Sequence, residues 1–486
     1  MEKFRDIFTD TSLFRRCYIF CSFFIHISFV QIPAYVLLVF LFLWGIFLLI
    51  YNQIKRKTIS NTRFGFWLVA FLITTTITML LHIGDNFLFN LIIQLHVSIC
   101  FFILYGLHTE KHLNFRRELY TICEFVVYTT TIVGVIGLAF LMAGISFEVE
   151  SIKFIIYENR FTGFYSNPNA LGFICVVAML CIHMLTKINF IDLSGKTRVS
   201  RIWLLTCLLV NGVSLFLCDS NGAIMLMVCY VIVFVLFKMF GAEHGYNKKQ
   251  VMLRMGACAV AGLFIVGTFF VVRDICQTGF VEVISAVEGS SGVTEEVDND
   301  SMIDSTGRVT FTHENKNIDS GRFKLWDQAV QMFCDHPVFG IGRGNIYDYG
   351  AEKFEKGIHL SHLYGDTLAA YTTDFHNGYL TLLVCAGAVG FLIFVVFGFI
   401  FAKHITVYVF KSKNLNDSIL PCLFSFLCAY LVYSFIEKTL IYDVSFRVMF
   451  FWLILGYVGC FLRMYEPDTN STVSIFKKKI KKTFLW

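Results

Sequence analysis

The sequence predicts an all-α integral membrane protein with about twelve transmembrane helices, and three observations support this fold class. The 486 residues are 56% hydrophobic and 15% charged, whereas about 25% of the residues in a soluble domain are charged. The apolar residues gather into runs of the length that crosses a bilayer, about 20 residues. Short loops rich in Lys and Arg alternate with loops poor in both. This composition excludes a cytosolic enzyme, a nucleic-acid-binding protein and a disordered scaffold.

Twelve apolar runs are the predicted spans. They lie near residues 17–32, 34–51, 64–82, 88–106, 120–147, 170–187, 202–218, 223–238, 255–272, 378–402, 419–436 and 444–462. The first two are the least separated, because only residues 31–33 lie between them. A turn-forming cluster at residues 219–222 separates the seventh run from the eighth. The charged residues 1–16 lead into the first run without a small-residue cleavage site, so we expect a retained helix and not a removed signal peptide.

The distribution of Lys and Arg predicts that both termini are cytoplasmic. With twelve spans and the N-terminus inside, most of the 40 Lys and Arg residues fall in inside segments, as the positive-inside rule requires. The chain then divides into transmembrane helices 1–9 (residues 1–272), a large extracytoplasmic loop (273–377), transmembrane helices 10–12 (378–462) and a basic cytoplasmic tail (463–486). We expect the tail to face anionic lipid headgroups.

The large loop has two parts of different character. Residues 290–320 are acidic and poor in apolar side chains, which is typical of a mobile segment. The second part predicts an amphipathic helix at the membrane interface or against the bundle, because Ser320 can cap its start and Pro337 ends it. The apolar residues that recur there at helical spacing are Phe323, Trp326, Ala329, Val330 and Phe333.

The 16 cysteines do not indicate a disulfide framework. Most lie inside apolar runs, where a thiol behaves as a small hydrophobic group. Only Cys276 and Cys334 fall in the large polar segment. At most one disulfide is therefore predicted there, and the spacing alone leaves its existence open.

Three stretches on the predicted outer face combine glycines with Arg, His and Asn. The first runs from Arg160 to Asn169 and leads into the sixth span. The second contains Gly321-Arg322-x-x-x-Trp326 and ends in His336-Pro337-x-x-Gly340-x-Gly342. The third is His376-Asn377, followed by Gly387 and Gly390 in the tenth span.

Together these stretches resemble the motifs of the O-antigen ligase and polysaccharide polymerase superfamily of bacterial envelopes. Its hallmark is a His, then Asn, Ser or Gln, nine residues, a Gly, two residues and a Gly, which His376, Asn377, Gly387 and Gly390 fit. The resemblance covers roughly residues 60–462. One departure is that residues 220–222 are Ser-Asn-Gly where many relatives have Ser-Arg-Gly, so the role of that arginine is filled otherwise or is dispensable here.

The resemblance implies a GT-C-like integral-membrane glycosyltransferase in the cytoplasmic (inner) membrane, with an extracytoplasmic active site. It implies a donor glycan on undecaprenyl pyrophosphate and a glycan acceptor, in contact with the lipid bilayer and with a chain-length regulator as a further candidate partner. Nucleic acid is not expected as a partner.

The residue chemistry fits such a transfer. Breaking the bond to pyrophosphate leaves negative charge on the phosphate, which arginine meets with two hydrogen bonds. Arg160 and Arg322 are the candidates, and Arg343 is a secondary one. The acceptor hydroxyl must lose a proton, and His376 is the candidate base because histidine titrates near neutral pH. Supporting roles are expected for Asn377, Asn167, Asn169 and Trp326. No metal or other cofactor is expected, because the outer face lacks clustered carboxylates.

Structural explanations exist for the same residues. His376 and Asn377 could cap the start of a span, and Arg160 and Arg322 could anchor in the headgroup region. Residues 340–344, Gly-x-Gly-x-Gly, predict a turn, since no strand–helix unit surrounds them as in a nucleotide loop. His359-x-x-His362 has a spacing that a metal could use, but two histidines without further ligands are more often solvated. Among charges near span ends, Asp443 and Arg447 could form a structural pair one helical turn apart.

The function predicted from these features is polymerisation of lipid-linked oligosaccharide repeat units by a metal-independent, inverting glycosyltransferase. An O-antigen ligase that transfers the glycan to lipid A–core or another acceptor is the first alternative. A polysaccharide flippase or transporter is the second. The long outer loop and the lack of an internal repeat weigh against a transporter.

Overall fold

A computed structural model describes residues 2–84, 86–110, 113–149, 152–157, 160–188, 200–240, 248–288, 322–354, 375–411 and 419–465. The acidic segment 290–320, Gly321, His359, His362 and the tail from residue 466 onward lie outside these ranges. The expectations for them stay predictions.

The described residues are mostly helical. The helices before the first strand are α1 (Glu2–Thr9), α2 (Thr11–Phe24), α3 (Gln31–Arg56), α4 (Thr58–Asn61), α5 (Gly65–Leu81), α6 (Phe87–Ile99) and α7 (Phe115–Met142). The strands are β1 (Phe147–Val149), β2 (Ile152–Tyr157) and β3 (Arg160–Gly163). The remaining helices are α8 (Pro168–Lys187), α9 (Arg201–Leu217), α10 (Asn221–Phe240), α11 (Lys248–Glu288), α12 (Arg322–Asp335), α13 (Ile346–Lys353), α14 (Gly378–Lys411), α15 (Leu420–Tyr433) and α16 (Phe446–Tyr465).

This architecture confirms a mostly helical, multi-pass membrane protein, and each predicted span contains a helix. Eight helices within the described ranges are long and apolar enough to cross a membrane. The helices α5, α9 and α15 are apolar but shorter, and α2 has 14 residues. The number of twelve spans and the boundaries of the large loop therefore stay predictions; α11 itself continues past residue 273 to Glu288.

The first two predicted spans are two helices of a hairpin. The 3-10 turn Ser28–Val30 separates α2 from α3. Across the hairpin, Phe14 packs edge-on against Trp44, and the Cys21 thiol donates to the Ala34 carbonyl. The outer side of α3 is covered by exposed apolar residues such as Phe40, 65% exposed. Such a surface suits lipid contact and would be unfavourable in water.

The helix α16 lies at the centre of the bundle. Its Trp452 is fully buried, and its ring stacks on Phe397 of α14. Gly456 lets the helix approach the π-helical continuation of α6, because a Cβ there would lie 2.5 Å from the Leu104 carbonyl oxygen. Small residues at such crossings allow membrane helices to pack closely.

A small antiparallel sheet follows α7, and the all-α prediction missed it. Its order is β1-β2-β3, with Phe147 opposite Phe154 and Ile156 opposite Phe161. The paired strands satisfy their own backbone hydrogen bonds at the end of the bundle. β1 has only three residues, and the residues of β2, Ile-Lys-Phe-Ile-Ile-Tyr, do not alternate strictly between apolar and polar, so the sequence did not predict strands. The sheet matters for function because β3 begins at Arg160.

The predicted loop helix is present as α12, and it ends two residues before Pro337. Its buried face agrees with the expectation in part, since Ala329 is buried and Trp326 and Phe333 pack against the core. The buried residues are Leu325, Gln328, Ala329 and Met332, whereas Phe323 and Val330, expected on the apolar face, are 64% and 46% exposed. The helix packs against α14, so the neighbouring helix decides which face is buried.

The two cysteines of the polar segment are both free thiols. Cys276 lies half-buried on α11 and Cys334 is exposed on α12. The disulfide that the sequence left open is therefore not formed in this structure.

Candidate active site

The third motif places His376 immediately before α14. Asn377 caps this helix: its side-chain oxygen accepts hydrogen bonds from the backbone N–H groups of Tyr379 and Leu380, both at 3.0 Å. His376 itself has a φ of 44°, a left-handed conformation that is uncommon for residues other than glycine. The capping explanation thus holds for Asn377, while the His376 side chain takes a different direction.

The His376 side chain faces a buried carboxylate. Its Nδ1 lies 3.9 Å from Oε2 of Glu437, and the two side chains are 30% and 8% exposed. Glu437 belongs to the loop between α15 and α16. The spacing is longer than a hydrogen bond, and the two groups become an ion pair when the imidazole is protonated.

The same carboxylate is held by an arginine. Arg447, in the first turn of α16, donates from Nη1 to Glu437 Oε2 at 3.1 Å. Its guanidinium also lies over the ring of Phe173 on α8, 5.5 Å from the ring centre. Within the described ranges, no ion pair joins Arg447 to Asp443, so the structural pair considered from the sequence is replaced by the pair with Glu437.

Glu437 is a carboxylate at neutral pH. Burial alone would raise its pKa, but the contact with His376 and the positive charge of Arg447 outweigh this effect and lower the pKa below its ordinary value. The charge of Arg322 lowers it further. Three side chains from separate parts of the chain, His376, Arg447 and Arg322, therefore act on one carboxylate. We call these four residues the Glu437 cluster.

Arg322 reaches this cluster as the first residue of α12, where it is half-buried. One turn later, Trp326 packs edge-on against Phe323 with ring centres 5.5 Å apart. The indole Nε1 of Trp326 is buried and has no hydrogen-bond partner among the residues that the structure describes.

The glycines of the second and third motifs join α12 to a break in α14. The helix is interrupted at Gly387, with φ 63° and ψ −175°, which frees backbone groups on both sides. The segment 337–342 satisfies them. Ile341 and Gly342 donate to the carbonyls of Val384 and Cys385, and Ala388 and Val389 donate to those of Pro337 and Val338. The four distances lie between 2.8 and 3.2 Å.

This pairing explains why glycine occurs in both segments. A Cβ on Gly387 would lie 2.3 Å from the Val338 carbonyl oxygen, and a Cβ on Gly340 would lie 2.4 Å from that of Val384. Gly342, with φ 82°, leads into the 3-10 turn Arg343–Asn345, so the Gly-x-Gly-x-Gly stretch is a turn, as predicted. The paired segments fix the C-terminal end of α12 against α14, the helix that His376 precedes.

The first motif forms a second polar group at the same end of the bundle. Arg160 donates from Nη2 to the Asn169 side-chain oxygen at 3.2 Å, and the Ser220 hydroxyl donates to the same oxygen at 3.0 Å. Asn167 instead caps α8 by accepting from the N–H of Ala170 at 2.8 Å. Asn169 therefore orients Arg160, and Asn167 has a structural role.

Packed aromatic residues connect the two polar groups. Phe173 of α8, which lies under Arg447, stacks on Tyr433 of α15 with ring centres 5.4 Å apart. A Cβ on Gly222 would lie 3.2 Å from the Tyr433 ring, so the turn that carries Ser220 lies beside the loop that carries Glu437. Beside Ser220, Asp219 pairs with Arg273 of α11 at 3.4 Å. This pair brings an arginine close to residue 221, an asparagine here at the position where the superfamily motif has arginine.

Arg343 lies in a different environment. It lines a small cavity of about 20 Å³ together with Asn90, Gln94 and Tyr442. Asn90 also accepts a hydrogen bond from the N–H of Gly344 at 2.7 Å. His376 and Arg447 thus lie against Glu437, whose pKa the charge of Arg322 also lowers, whereas Arg343 lines this separate cavity.

The sequence analysis did not assign Glu437 or Arg447 to the site. Both were visible as charges at span ends, a signal that favours a function, but they lie 61 and 71 positions after His376 and nothing in the spacing links them. Within the described ranges, no group of three or more His, Cys, Asp or Glu side chains has an arrangement that could hold a metal ion.

A comparison with protein families matches residues 202–395 to the model Wzy_C, described as O-Antigen ligase. A comparison with curated proteins finds no match. The family match agrees with the superfamily predicted from the motifs. The matched range contains Ser220, Arg322, His376 and the helix break at Gly387, while Arg160 and Glu437 lie on either side of it.

Proposed function

We propose that this chain, whose residues 202–395 carry a domain of the O-antigen ligase and polysaccharide polymerase superfamily, is a surface-polysaccharide polymerase. It would join oligosaccharide repeat units carried on undecaprenyl pyrophosphate at the outer face of the cytoplasmic membrane. The observation that carries this proposal is the Glu437 cluster, in which His376 and Arg447 lie within 4 Å of one buried carboxylate and the charge of Arg322 lowers its pKa further.

His376 is the proposed general base. Its Nδ1 faces Glu437, which leaves Nε2 to accept a proton from the acceptor hydroxyl. Glu437 remains ionised because its pKa is lowered, so its negative charge stabilises the imidazolium that forms when His376 takes the proton. Arg447 holds the carboxylate in place, since it donates to the same oxygen that His376 approaches. Glu437 and Arg447 are positioning residues in this scheme.

Arg322 and Arg160 are the proposed pyrophosphate ligands. Negative charge builds on the pyrophosphate as the bond to the anomeric carbon breaks, and a guanidinium stabilises that charge most when water is excluded. Arg322 lies beside the proposed base, and Asn169 orients Arg160. Trp326 could present its free indole N–H to a sugar or phosphate oxygen. Arg343 stays a secondary candidate because it lines a separate cavity with Asn90, Gln94 and Tyr442.

The proposed reaction is a single displacement. The acceptor oxygen forms a bond to the anomeric carbon as the bond from that carbon to pyrophosphate oxygen breaks, and the hydroxyl proton passes to His376. Attack from the side opposite the leaving group inverts the anomeric configuration. Since the charge on the leaving group is met by arginines, we propose that no metal is required.

An O-antigen ligase would use the same donor and the same base with another acceptor. A flippase would need neither a glycan acceptor nor a catalytic base. The variant His376→Ala, tested in cells whose surface polysaccharide depends on this protein, distinguishes the polymerase, the ligase and the flippase. A polymerase should leave single repeat units on the carrier lipid and lose long polymer. A ligase should instead accumulate finished polymer on the carrier, and a flippase should retain transport.

The matched control is His404→Ala near the opposite end of α14, where the ring bonds to the Ile400 carbonyl of its own helix. This variant should give polymer of normal length. Long polymer at the wild-type level with His376→Ala would contradict the catalytic role of His376.

A further inference from the structure

A large polar cavity lies at the other end of the bundle from the Glu437 cluster. Its volume is about 820 Å³. The residues that line it come from the ends of α2, α3, α4 and α7 and from the segment before α7: Asp10, Ser12, Arg16, Lys55, Arg56, Asn61, Thr109, Glu110, Leu113, Asn114, Arg117, Glu118 and Thr121.

Two helices show that this cavity and the Glu437 cluster lie on opposite faces. The helix α16 begins beside Arg447 and reaches Arg463, which donates to the His108 carbonyl at 2.5 Å; sixteen residues of helix span about 24 Å. The helix α7 begins at the cavity with Asn114 as its cap and ends before the sheet that carries Arg160.

The carboxylates of this cavity are already compensated within the protein. Arg15, which is fully buried, pairs with Glu110 at 2.6 Å and with Glu118 at 2.8 Å. Glu118 also accepts hydrogen bonds from Ser12 and Tyr457. Asp10 accepts from the N–H of Leu13 and caps α2. Arg56 also pairs with Glu110, at 3.6 Å. Counting Arg15 with the lining residues, five cations lie at this cavity with three carboxylates, so a net positive charge remains.

Three of those cations have no such compensation. Arg16, Lys55 and Arg117 line the cavity and form no ion pair with any carboxylate in the described ranges. Arg117 lies in the first turn of α7, where the helix dipole disfavours a positive charge. The acidic residue of that turn, Glu118, is paired with Arg15 and not with Arg117.

We propose that this cavity binds an anionic phosphate group, held by Arg16, Lys55 and Arg117. The group is either the headgroup of an anionic phospholipid or free phosphate, since guanidinium and ammonium groups bind both. If both termini are cytoplasmic, as the basic loops predict, the cavity opens where anionic headgroups attract basic residues. The inference does not depend on the proposed glycosyltransferase activity, because it concerns the opposite face and uses none of its residues.

The test uses the purified full-length chain in detergent. Native mass spectrometry measures the binding of phosphatidylglycerol and of phosphatidylcholine with the same acyl chains. In parallel, the melting temperature is measured with inorganic phosphate against chloride at equal ionic strength. The variants are Arg117→Gln and Lys55→Gln. Arg116→Gln is the matched control, because Arg116 is exposed in the same helical turn but does not line the cavity.

We expect the wild type to prefer phosphatidylglycerol and each cavity variant to bind it about fivefold more weakly, from about 1 kcal/mol per cation. Arg116→Gln should bind like the wild type. Stabilisation by inorganic phosphate as well would identify free phosphate as a ligand, and its absence would identify the lipid headgroup. Equal losses in Arg116→Gln and Arg117→Gln would overturn the proposal. The proposal would also be overturned if the wild-type protein showed no preference between the two lipids and no response to phosphate. This second result does not require any variant to fold.

Discussion

The break in α14 predicts that Gly387→Ala severely destabilises the protein. The alanine Cβ would lie 2.3 Å from the Val338 carbonyl oxygen and 2.4 Å from its carbonyl carbon. These are backbone atoms, so no rotation of a side chain can relieve the clash. The backbone at φ 63° and ψ −175° is one that essentially only glycine adopts, and holding alanine there costs about 1–3 kcal/mol.

Relief of the clash must separate the two segments, which would break the hydrogen bonds from Ala388 and Val389 to residues 337 and 338. Each bond contributes about 1 kcal/mol net, so the total loss is about 3–5 kcal/mol. The assay is the melting temperature of the purified protein in one detergent. Gly398→Ala is the matched control: it lies on the same helix with nothing within 4 Å of a new Cβ, and it should stabilise slightly, since alanine is the better helix former. A Gly387→Ala protein that melts with the wild type would refute the assigned role of the break.

Three further predictions concern the Glu437 cluster, and a fourth concerns the metal-independent mechanism. Glu437→Gln should destabilise the protein by about 3 kcal/mol at pH 7, because Arg447 loses its buried partner, whereas Asp443→Asn should have a much smaller effect on the melting temperature. Because the pKa of Glu437 is lowered in the folded protein, its carboxylate stabilises the fold fully above about pH 4.5, and this stabilisation is lost as the pH falls further. The melting temperature of the wild type should therefore fall more steeply on acidification than that of Glu437→Gln. Parallel curves for the two proteins would contradict the assigned charge state. Arg322→Lys should keep the charge but lose most polymerisation in a donor-turnover assay, since lysine cannot bind phosphate with two hydrogen bonds; full activity would exclude bidentate binding. Treatment of the purified enzyme with a chelator should leave turnover unchanged, and loss of turnover restored by added divalent cation would disprove the metal-independent mechanism.

Local sequence signals were insufficient to predict the small sheet and the buried face of α12. The turn at residues 219–222 and the end of α12 before Pro337 follow from residue types with strong local preferences, and both are present. The strands β1 to β3 have three to six residues and do not produce a readable alternation. The buried face of α12 depends on α14, so spacing alone could not tell that Ala329 is buried there while Phe323 and Val330 are exposed.

The motifs located the candidate site, but several of their residues have roles that spacing could not distinguish. Asn377 and Asn167 cap helices, whereas Asn169 orients Arg160. Gly340 and Gly387 allow two backbones to pair. An asparagine that caps a helix and one that holds an arginine look the same in a sequence, because the difference lies in which group its oxygen faces.

The helical membrane character of this protein is predictable from its sequence, since long apolar runs must be helical in a bilayer to satisfy their backbone hydrogen bonds. It also located three polar stretches whose motifs resemble those of a superfamily, in agreement with the family match over residues 202–395. Only the tertiary structure decided that Glu437 faces His376 and pairs with Arg447, and that the cations Arg16, Lys55 and Arg117 surround one cavity. Helix propensity and hydropathy act over neighbouring residues, whereas these contacts join residues far apart in the chain. Their distances are set by how the helices pack against one another.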